Sequence, residues 1–268
     1  MPVLTIQNYV RVQSLEEAYT LNQNKRNRIL GGMLWLKMSN ITVSTAIDLG
    51  DLGLDRIEET EESFSIGAMV TLRQLEKHEG LNAYTGGAAA QAVESIVGVQ
   101  LRNMATVGGS VFGRFGFSDV LTLLMAMDAY VELYKGGIVS VADFAAMPYD
   151  RDILVRIIIR KRPGRFAYRS VRNSRTDYPV LACAASCLDG EYRVAIGARP
   201  ARAIVLTDEK ELLKDGINES SARAFAEYAA QTVPTGGNIR GSADYRTHLI
   251  RVLTQRALLE VGGGNHGD

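Results

Sequence analysis

Two glycine pairs in the first half of the chain constrain its fold more than any other feature of the sequence. The stretch Gly98–Ser110 contains the pair Gly108-Gly109, and a second pair, Gly31-Gly32, follows the strand candidate Arg28-Ile29-Leu30. Adjacent glycines let a backbone adopt positive φ angles and approach a ligand where a side chain would clash. We interpret residues 100–106 as a polar strand that ends in a glycine turn. Two such turns predict a pair of loops that close on one extended, phosphate-bearing ligand.

The bulk composition limits the classes of function that the chain can have. Its 268 residues are 46% hydrophobic, which is enough for a sizeable core and about two domains. Lys plus Arg and Asp plus Glu both number 30, so there is no net basic field to attract nucleic acid. No apolar run approaches the roughly 18 residues of a membrane span. Residues 1–5 lack a basic segment followed by an apolar one, so we expect no secretory signal.

The cysteines and histidines argue against metal chemistry. Cys183 and Cys187 lie in a run of small apolar residues that predicts a buried strand. We interpret both as core thiols, because an unpaired cysteine behaves as a small hydrophobe. Their spacing fits no zinc or iron–sulfur signature, and the three histidines are far apart in sequence. We therefore predict no metal site in this chain and a cytoplasmic location.

The order of predicted elements indicates several small layers of helix and sheet. The chain opens as strand, helix, strand, turn and strand, with Ser14 as the N-cap of the helix. A second block of strands and helices ends at the β-branched run 153–160, and Pro163-Gly164 marks the best linker. Beyond it, strands joined by the hairpin signal Asp189-Gly190 are followed by two helices, 222–231 and 243–261. Strands followed by helices indicate an α+β domain.

The common catalytic and nucleotide-binding signatures are missing. The chain has no G-x-S-x-G elbow and no lysine of a phosphate-binding loop. It has no G-x-G-x-x-G fingerprint after a predicted strand; the letters occur only at residues 262–267, which follow a predicted helix. Backbone recognition remains, since successive N–H groups in glycine turns form anion-binding concavities. Thr106 and Ser110 flank the second turn and could add hydroxyl donors. Asp119 is either the N-cap of the helix that starts near Leu121 or a hydrogen-bond partner of a ligand.

Four motifs, in this order along the chain, give a resemblance to a known family. They are the segments 29–33 and 65–68, the run Val99–Ser110 followed by Asp119, the segments 166–172 and 177–180, and the segment 239–246 leading into 252–257. Together these motifs resemble the flavin-binding (medium) subunit of molybdenum hydroxylases, a family that includes xanthine dehydrogenase and aerobic carbon monoxide dehydrogenase. The resemblance covers nearly the whole chain.

The resemblance implies an α+β protein with FAD as cofactor. It implies a two-part FAD-binding domain of the vanillyl-alcohol-oxidase/p-cresol-methylhydroxylase type at residues 1–162, with subdomains at about 1–55 and 56–162, and a C-terminal domain of antiparallel sheet plus helices at residues 163–268. It also implies the residues that contact the cofactor. The diphosphate would lie on two loops, Asp119 would be a polar contact, Ile96 and Leu154 apolar walls, and Arg169 a cation beside the flavin. The loops are formed by Ile29, Leu30, Gly31, Gly32, Met33, Leu34 and Trp35, and by Thr106, Val107, Gly108, Gly109 and Ser110.

The chain departs from the family pattern at two places. After Gly31-Gly32 the family has a small polar residue and then Asp, Asn or Ser, whereas this chain has Met33-Leu34-Trp35. A diphosphate there would rely on backbone N–H groups alone. Before Asp119 the family has a small, Ala/Ser/Pro-rich stretch, which Gly113–Phe117 replaces with a segment that contains Phe115 and Phe117. These rings would reshape the exposed edge of the flavin or a docking surface.

By this resemblance the chain is an FAD-dependent electron-transfer subunit of an oxidoreductase complex. It would take electrons from a [2Fe-2S] partner subunit, beside a molybdenum-cofactor subunit, and pass them to NAD or another acceptor. We find no catalytic base in the sequence. Two alternatives remain open: a stand-alone FAD-dependent oxidoreductase, and a scaffold subunit that has lost FAD, which the run Met33–Trp35 motivates.

Overall fold

The first layer of the protein is a small parallel sheet. The computed structural model describes residues 3–263. Outside it lie residues 1–2, which belong to the segment where we expect no secretory signal, and residues 264–268, which include His266. The elements are β1 Thr5–Arg11, α1 Leu15–Asn22, β2 Arg28–Leu30, a 3₁₀ turn Leu36–Met38 and β3 Thr42–Asp48. Strand β3 is central and pairs in parallel with β1 and β2. The first glycine pair therefore comes directly after β2, an edge strand of this sheet.

The second layer is an antiparallel sheet with the order β4-β5-β8-β6-β7, covered by short helices. Its elements are β4 Ile57–Glu59, β5 Ser63–Gly67, α2 Leu72–Lys77, α3 Glu79–Thr85, α4 Ala88–Glu94, α5 Val99–Arg102, α6 Val107–Phe112, α7 Asp119–Ala126, β6 Ala129–Leu133, β7 Gly137–Ser140, α8 Val141–Ala146 and β8 Leu154–Arg160. Helix α7 is buried along its whole length, which makes it the core helix of this layer.

The C-terminal part is an antiparallel sheet with two helices on one face. Its elements are β9 Gly164–Arg172, β10 Pro179–Leu188, β11 Glu191–Gly197, β12 Ile204–Thr207, α9 Glu219–Thr232 and α10 Ala243–Val261. The sheet order is β12-β11-β10-β9. Asp189 and Gly190 both have positive φ in the turn between β10 and β11, as the hairpin signal predicted. The α+β class inferred from the sequence is confirmed.

The two faces of the C-terminal sheet pack against different partners. One face, with Cys183 and Val194, packs on helices α9 and α10 through Phe225 and Leu253. The other face, with Tyr168 and the small residues Ala184 and Ala195, belongs to the same hydrophobic core as helix α7. Small side chains let strand and helix approach closely, and the hydroxyl of Ser186 donates to the carbonyl oxygen of Ala126. The domains are thus joined by a packed apolar interface.

Two local predictions around the second glycine pair are wrong, and one of the two roles left open for Asp119 is excluded. Residues 100–106 do not form a strand, because α5 covers Val99–Arg102 and a turn follows it. Gly108-Gly109 is not a turn but lies inside α6. Asp119 does not cap α7; the side chain of Ser118 accepts the N–H of Leu121, and Asp119 is the first residue of the helix. Residues 100–106 read polar, apolar, polar, polar, apolar, apolar, polar, which is the pattern of a helix rather than the alternation of a strand.

Candidate functional site

The first glycine loop presents a row of unused backbone donors. Within residues 3–263, none of the backbone N–H groups from Gly31 to Trp35 donates a hydrogen bond. Gly31 to Leu34 are half-buried rather than sealed in the core. Met33 has a φ of 58°, in the left-handed region, and such a residue next to right-handed ones turns successive N–H groups toward one side. A run of free N–H groups around one left-handed residue is the kind of backbone arrangement that binds anions.

The second glycine segment has used its donors. Val107 and Gly108 donate their N–H groups to the carbonyl oxygens of Val70 and Ala68, at 2.8 Å each. The N–H of Gly109 donates to Thr106 Oγ1 at 3.1 Å, and that of Ser110 donates to the Thr106 carbonyl oxygen at 3.0 Å. Thr106 is the N-cap of α6. This segment is therefore a support for the site, and the sequence prediction of a second row of free donors is wrong.

The two glycine segments are packed against each other, so their glycines have a steric purpose. A Cβ at Gly31 would lie 2.9 Å from Thr106 Oγ1, and a Cβ at Gly32 would overlap the carbonyl group of Met104. At Gly108 a Cβ would lie 2.5 Å from the carbonyl oxygen of Ala68. Real Cβ atoms do not approach backbone atoms this closely. The absent side chains let the second segment hold the first loop in place.

A cavity of about 290 Å³ opens beside this contact. It lies between the first sheet and the second, and its walls combine apolar side chains with a polar end. The apolar walls come from Ile29, Leu30, Leu49, Ala68, Met69, Phe112, Ile153 and Leu154, next to Gly31, Thr106, Gly108 and Gly109. The polar end comes from Asn22, Asn27, Arg28, Asp150, Arg151 and Asp152. Apolar walls with a few converging polar groups are typical of small-molecule sites.

The polar end is organised around Arg151 and Asn27. The Arg151 guanidinium donates to Asn22 Oδ1 at 3.1 Å and to the carbonyl oxygens of Asn24 and Asn27 at 2.8 and 3.1 Å. Burial, together with the nearby charge of Arg28, lowers the pKa of Arg151 below its ordinary value. Neither arginine forms an ion pair with a carboxylate in the described residues. Asn27 donates through Nδ2 to Leu21, whereas its buried Oδ1 accepts nothing.

Four more residues were predicted to contact the cofactor, and only one of them lines this cavity. Leu154 lines it. Ile96 packs against the hydrophobic core of helix α7 and is not one of the lining residues. Arg169 lies on strand β9 and forms an ion pair with Glu260 of helix α10 at 2.7 Å, so it faces the far side of the C-terminal sheet. Asp119 is buried at the junction of the two domains.

Asp119 joins the domains through two partners on strand β9. One carboxylate oxygen, Oδ1, accepts from Arg172 Nη2 at 2.6 Å and from the hydroxyl of Tyr168. Burial raises the pKa of Asp119 above its ordinary value, although Arg172 and Tyr168 act in the opposite direction. Burial also raises the pKa of Tyr168 well above its ordinary value, and the charge of Asp119 adds to this. The two partners hold the carboxylate in place.

Sequence reasoning missed the polar end of the cavity. Asn22, Asn27 and Arg28 precede the first glycine pair by only a few residues, and that proximity was an available signal. Arg151 meets them only because its own loop precedes β8, over 120 residues later in the chain. In residues 3–263 there is no cluster of three or more His, Cys, Asp or Glu that could hold a metal ion. Nor does any helix in that range have the length and apolarity to cross a membrane.

Comparison with known proteins identifies both halves of the chain. Residues 4–161 match the family described as the FAD binding domain in molybdopterin dehydrogenase. Residues 166–261 match the CO dehydrogenase flavoprotein C-terminal domain. The nicotine 6-hydroxylase medium subunit of Paenarthrobacter nicotinovorans is 26% identical, over 95% of this chain and 96% of that protein. The xanthine dehydrogenase FAD-binding subunit of Escherichia coli O157:H7 is 25% identical, with 95% of each chain covered.

The same comparison includes an uncharacterised relative and solved structures. The Escherichia coli K12 protein YgfM is 26% identical, over 92% of this chain and 93% of that protein. Carbon monoxide dehydrogenase from Hydrogenophaga pseudoflava has the same fold, with a TM-score of 0.86, 21% identity and complete coverage of both chains. Quinoline 2-oxidoreductase from Pseudomonas putida 86 gives a TM-score of 0.82 at 22% identity, over 99% of this chain and 100% of that one.

The matches define the class of this protein as an FAD-binding medium subunit of the molybdenum hydroxylase type, with FAD as its cofactor. The chain belongs to the family of FAD-binding domains of molybdopterin dehydrogenases, and it carries that family's C-terminal flavoprotein domain as well. Its relatives are subunits of oxidoreductases.

The residues present fit this cofactor. The free N–H groups of the first loop suit a diphosphate, which needs several donors and no particular side chain. The cavity offers apolar walls to the faces of a flat base and polar groups to its edge. The unpartnered Oδ1 of Asn27 suits an N–H donor, because a buried acceptor without a partner costs free energy.

Proposed function

We propose that this chain carries FAD as the electron-transfer subunit of a molybdenum hydroxylase complex. One observation supports this most strongly: the unused N–H groups run from Gly31, which lines a cavity with apolar walls, to Trp35. In this proposal the loop holds the diphosphate, and the cavity holds the adenine half of the molecule. The loop needs no polar side chain, so the departure Met33-Leu34-Trp35 is compatible with binding.

The residues around the loop have distinct roles in this proposal. Thr106 caps α6, and the close contacts of Gly31 with Thr106 and of Gly32 with Met104 hold the loop in place. Leu154 and Phe112 exclude water from the base. A binding site that is already in the bound geometry loses less conformational entropy when the ligand arrives. When bound, FAD supplies the exchange of electrons one or two at a time.

The complex around this chain is a further part of the proposal. Electrons would come from a [2Fe-2S] subunit, beside a molybdenum-cofactor subunit, and leave to NAD or another acceptor. Relatives named as medium subunits, and one named as a subunit of a dehydrogenase complex, support the partners. The chain has two cysteines, which is too few for a cluster of its own. We also propose a cytoplasmic location and a domain boundary between residues 162 and 163, near the end of β8.

The test measures the cofactor and the electron transfer separately. The purified chain is titrated with FAD, FMN and ADP by calorimetry, and the bound flavin is counted from its absorbance. We expect one FAD per chain, tighter than FMN, because FMN lacks the adenine and one of the two phosphates. The FAD-loaded chain is then mixed with the reduced iron–sulfur subunit that co-purifies with it from its source, and flavin bleaching is followed by stopped-flow absorbance.

The outcomes separate the parts of the proposal. A chain without flavin absorbance in excess FAD would contradict cofactor binding and favour the scaffold alternative. A chain that binds FAD but is not reduced by the iron–sulfur partner would contradict the electron-transfer role. Turnover of a small substrate by the isolated chain would favour the stand-alone oxidoreductase.

A further inference from the structure

An aromatic cluster adjoins the first glycine loop. Trp35, the last residue of that loop, lies 6.0 Å from both Phe115 and Phe117 and 6.2 Å from Tyr178, measured between ring centroids. The Trp35 and Tyr178 rings are nearly parallel, with 26° between their planes, and Phe115 and Phe117 are stacked at 5.2 Å and 8°. We call these four residues the aromatic cluster.

The cluster is built from three separate segments. Trp35 ends the first loop, Phe115 and Phe117 lie between α6 and α7, and Tyr178 lies between β9 and β10 of the C-terminal domain. The two places where the sequence departs from the family pattern therefore meet in space. Ring pairs at these separations attract each other, so the departures form one structure rather than two unrelated replacements.

Three of the four rings in the aromatic cluster are more than one third exposed to solvent. Trp35 is 53% exposed, Phe115 41% and Tyr178 39%. Exposed aromatic side chains that lie together in this way are typical of a ligand-binding or protein-binding site. Arg240 covers part of Tyr178, with its guanidinium 4.9 Å from the ring centroid, and pairs with Asp177. The face of Trp35 has no such cation over it among the described residues.

The size of the cavity indicates what lies on the cluster. About 290 Å³ is at the small end of the roughly 300–1,000 Å³ usual for ligand sites, so the cavity takes one half of a dinucleotide. The flavin ring must exchange electrons with other molecules, so it needs an accessible position that the adenine does not need. With the diphosphate on the loop, the second half of the ligand leaves the cavity at the end of the loop, where Trp35 lies.

We propose that Trp35 stacks on the isoalloxazine ring of FAD and that the aromatic cluster is the ring site of this chain. This inference rests on the proposed function, since it assumes that the loop holds the diphosphate. The large face of an indole matches a planar tricyclic ring better than the side chain of Met38 or Met104 nearby. Stacking of a flat heterocycle on an aromatic side chain contributes about tenfold or more in affinity.

The experiment compares Trp35→Phe and Trp35→Ala with the wild-type chain. Affinities for FAD and ADP are measured by calorimetry, and the fluorescence lifetime of bound flavin is recorded. An indole in contact with a flavin quenches its emission, so the wild-type lifetime should be short. The Phe variant should keep FAD affinity within about threefold and lengthen the lifetime, whereas the Ala variant should lose about tenfold in FAD affinity. ADP affinity should not change, because ADP has no flavin ring.

Ile138→Ala is the matched control, because Ile138 is 60% exposed in the β6–β7 hairpin, away from the loop. It should change neither FAD affinity nor lifetime. Tighter FAD binding by the Ala variant would overturn the inference and show that the cluster obstructs the ring. Unchanged affinity and lifetime in both Trp35 variants would also overturn it and favour contact with a partner protein. Equal losses of FAD and ADP affinity in the Ala variant would overturn it as damage to the loop. Failure of the wild-type chain to bind FAD would defeat the proposed function itself.

Discussion

Gly32 packs against the carbonyl group of Met104 so closely that no side chain fits between the first loop and the turn after α5. A Cβ at Gly32 would lie 2.6 Å from the Met104 carbonyl carbon and 3.0 Å from the next backbone nitrogen. Both obstacles are backbone atoms, which cannot move aside as the end of a flexible side chain can. The site therefore depends on this contact for the position of the whole first loop.

We expect Gly32→Ala to displace the loop and weaken FAD binding. The overlap should destabilise the protein by about 1–3 kcal/mol, as other overpacked sites do. FAD affinity should fall at least tenfold, because the N–H groups of the loop lose their common direction. Chemical denaturation and FAD titration measure the two effects.

Gly98→Ala is the control for that prediction. Gly98 has an extended backbone, and a Cβ there would meet only the side chain of Gln100, at 3.5 Å. Removing a glycine of this kind is neutral or slightly stabilising. Equal losses in both variants would show that the Gly32 contact has no special role.

Thr106 offers a prediction about the support of the loop. Its Oγ1 accepts the N–H of Gly109 and faces Gly31, so Thr106→Ala removes the cap of α6 and opens space beside the loop. Loss of an N-cap costs about 1 kcal/mol, which a shift of the denaturation midpoint would report. Thr106→Ser keeps the oxygen and should recover most of that stability. A Ser variant as unstable as the Ala variant would contradict the capping role.

The sequence predicted which segments form this site better than it predicted what each segment does. Gly32 and Gly108 leave no room for a side chain, and β2 before the first pair is where the sequence placed it. The N-cap Ser14 is also confirmed, because a cap depends on residues three apart in sequence. The prediction that both glycine pairs present free N–H groups is wrong, because only the first segment does so. Whether an N–H is free depends on carbonyl groups such as those of Ala68 and Val70, whose positions follow from the tertiary fold.

Helix α5 shows that the strand predicted for the second segment did not follow from its pattern. Residues 100–106 read polar, apolar, polar, polar, apolar, apolar, polar, which is typical of a helix. Arg102 is buried, and its Nε lies 2.7 Å from Glu76 on α2. That ion pair with a residue 26 positions away, together with donation from Arg102 to the carbonyl oxygen of Ile96 at 3.1 Å, stabilises the helical turn.

Asp119 leads to a prediction about the junction of the domains. Asp119→Asn leaves the buried guanidinium of Arg172 without its carboxylate, and breaking a buried pair costs about 3–5 kcal/mol. We expect a loss of about 3 kcal/mol, since Arg172 keeps its hydrogen bond to the carbonyl oxygen of Asp177. Urea denaturation, followed by both fluorescence and circular dichroism, measures the loss.

Tyr168→Phe separates the hydrogen bond from the ion pair. The variant removes only the hydroxyl that donates to Asp119, and the ring stays in the core. A hydrogen bond to a charged group contributes about 1.5–3 kcal/mol, so the loss should be smaller than in the Asn variant. Equal losses in the free energy of unfolding for Tyr168→Phe and Asp119→Asn would show that the ion pair with Arg172 does not dominate the contact between the domains.

The thiols give a prediction about pH. Burial raises the pKa of Cys183 from 9.0 to about 12, while Cys187 is partly exposed. A raised folded-state pKa stabilises the fold fully below the unfolded pKa, and that stability is lost as the pH rises through the folded pKa. Between pH 9 and about 12 the unfolded chain releases the Cys183 proton and the folded chain keeps it.

Wild-type stability should therefore fall by up to about 1.4 kcal/mol per pH unit more than that of Cys183→Ala above pH 9. Denaturation at pH 8 and pH 10 measures the difference, and Cys187→Ala should follow the wild type. At pH 8 a thiol reagent should modify one cysteine of the folded chain and both in denaturant, because the Cys183 thiolate is excluded from the core beneath α10. Equal reaction rates of the two thiols in the folded chain would contradict the burial of Cys183.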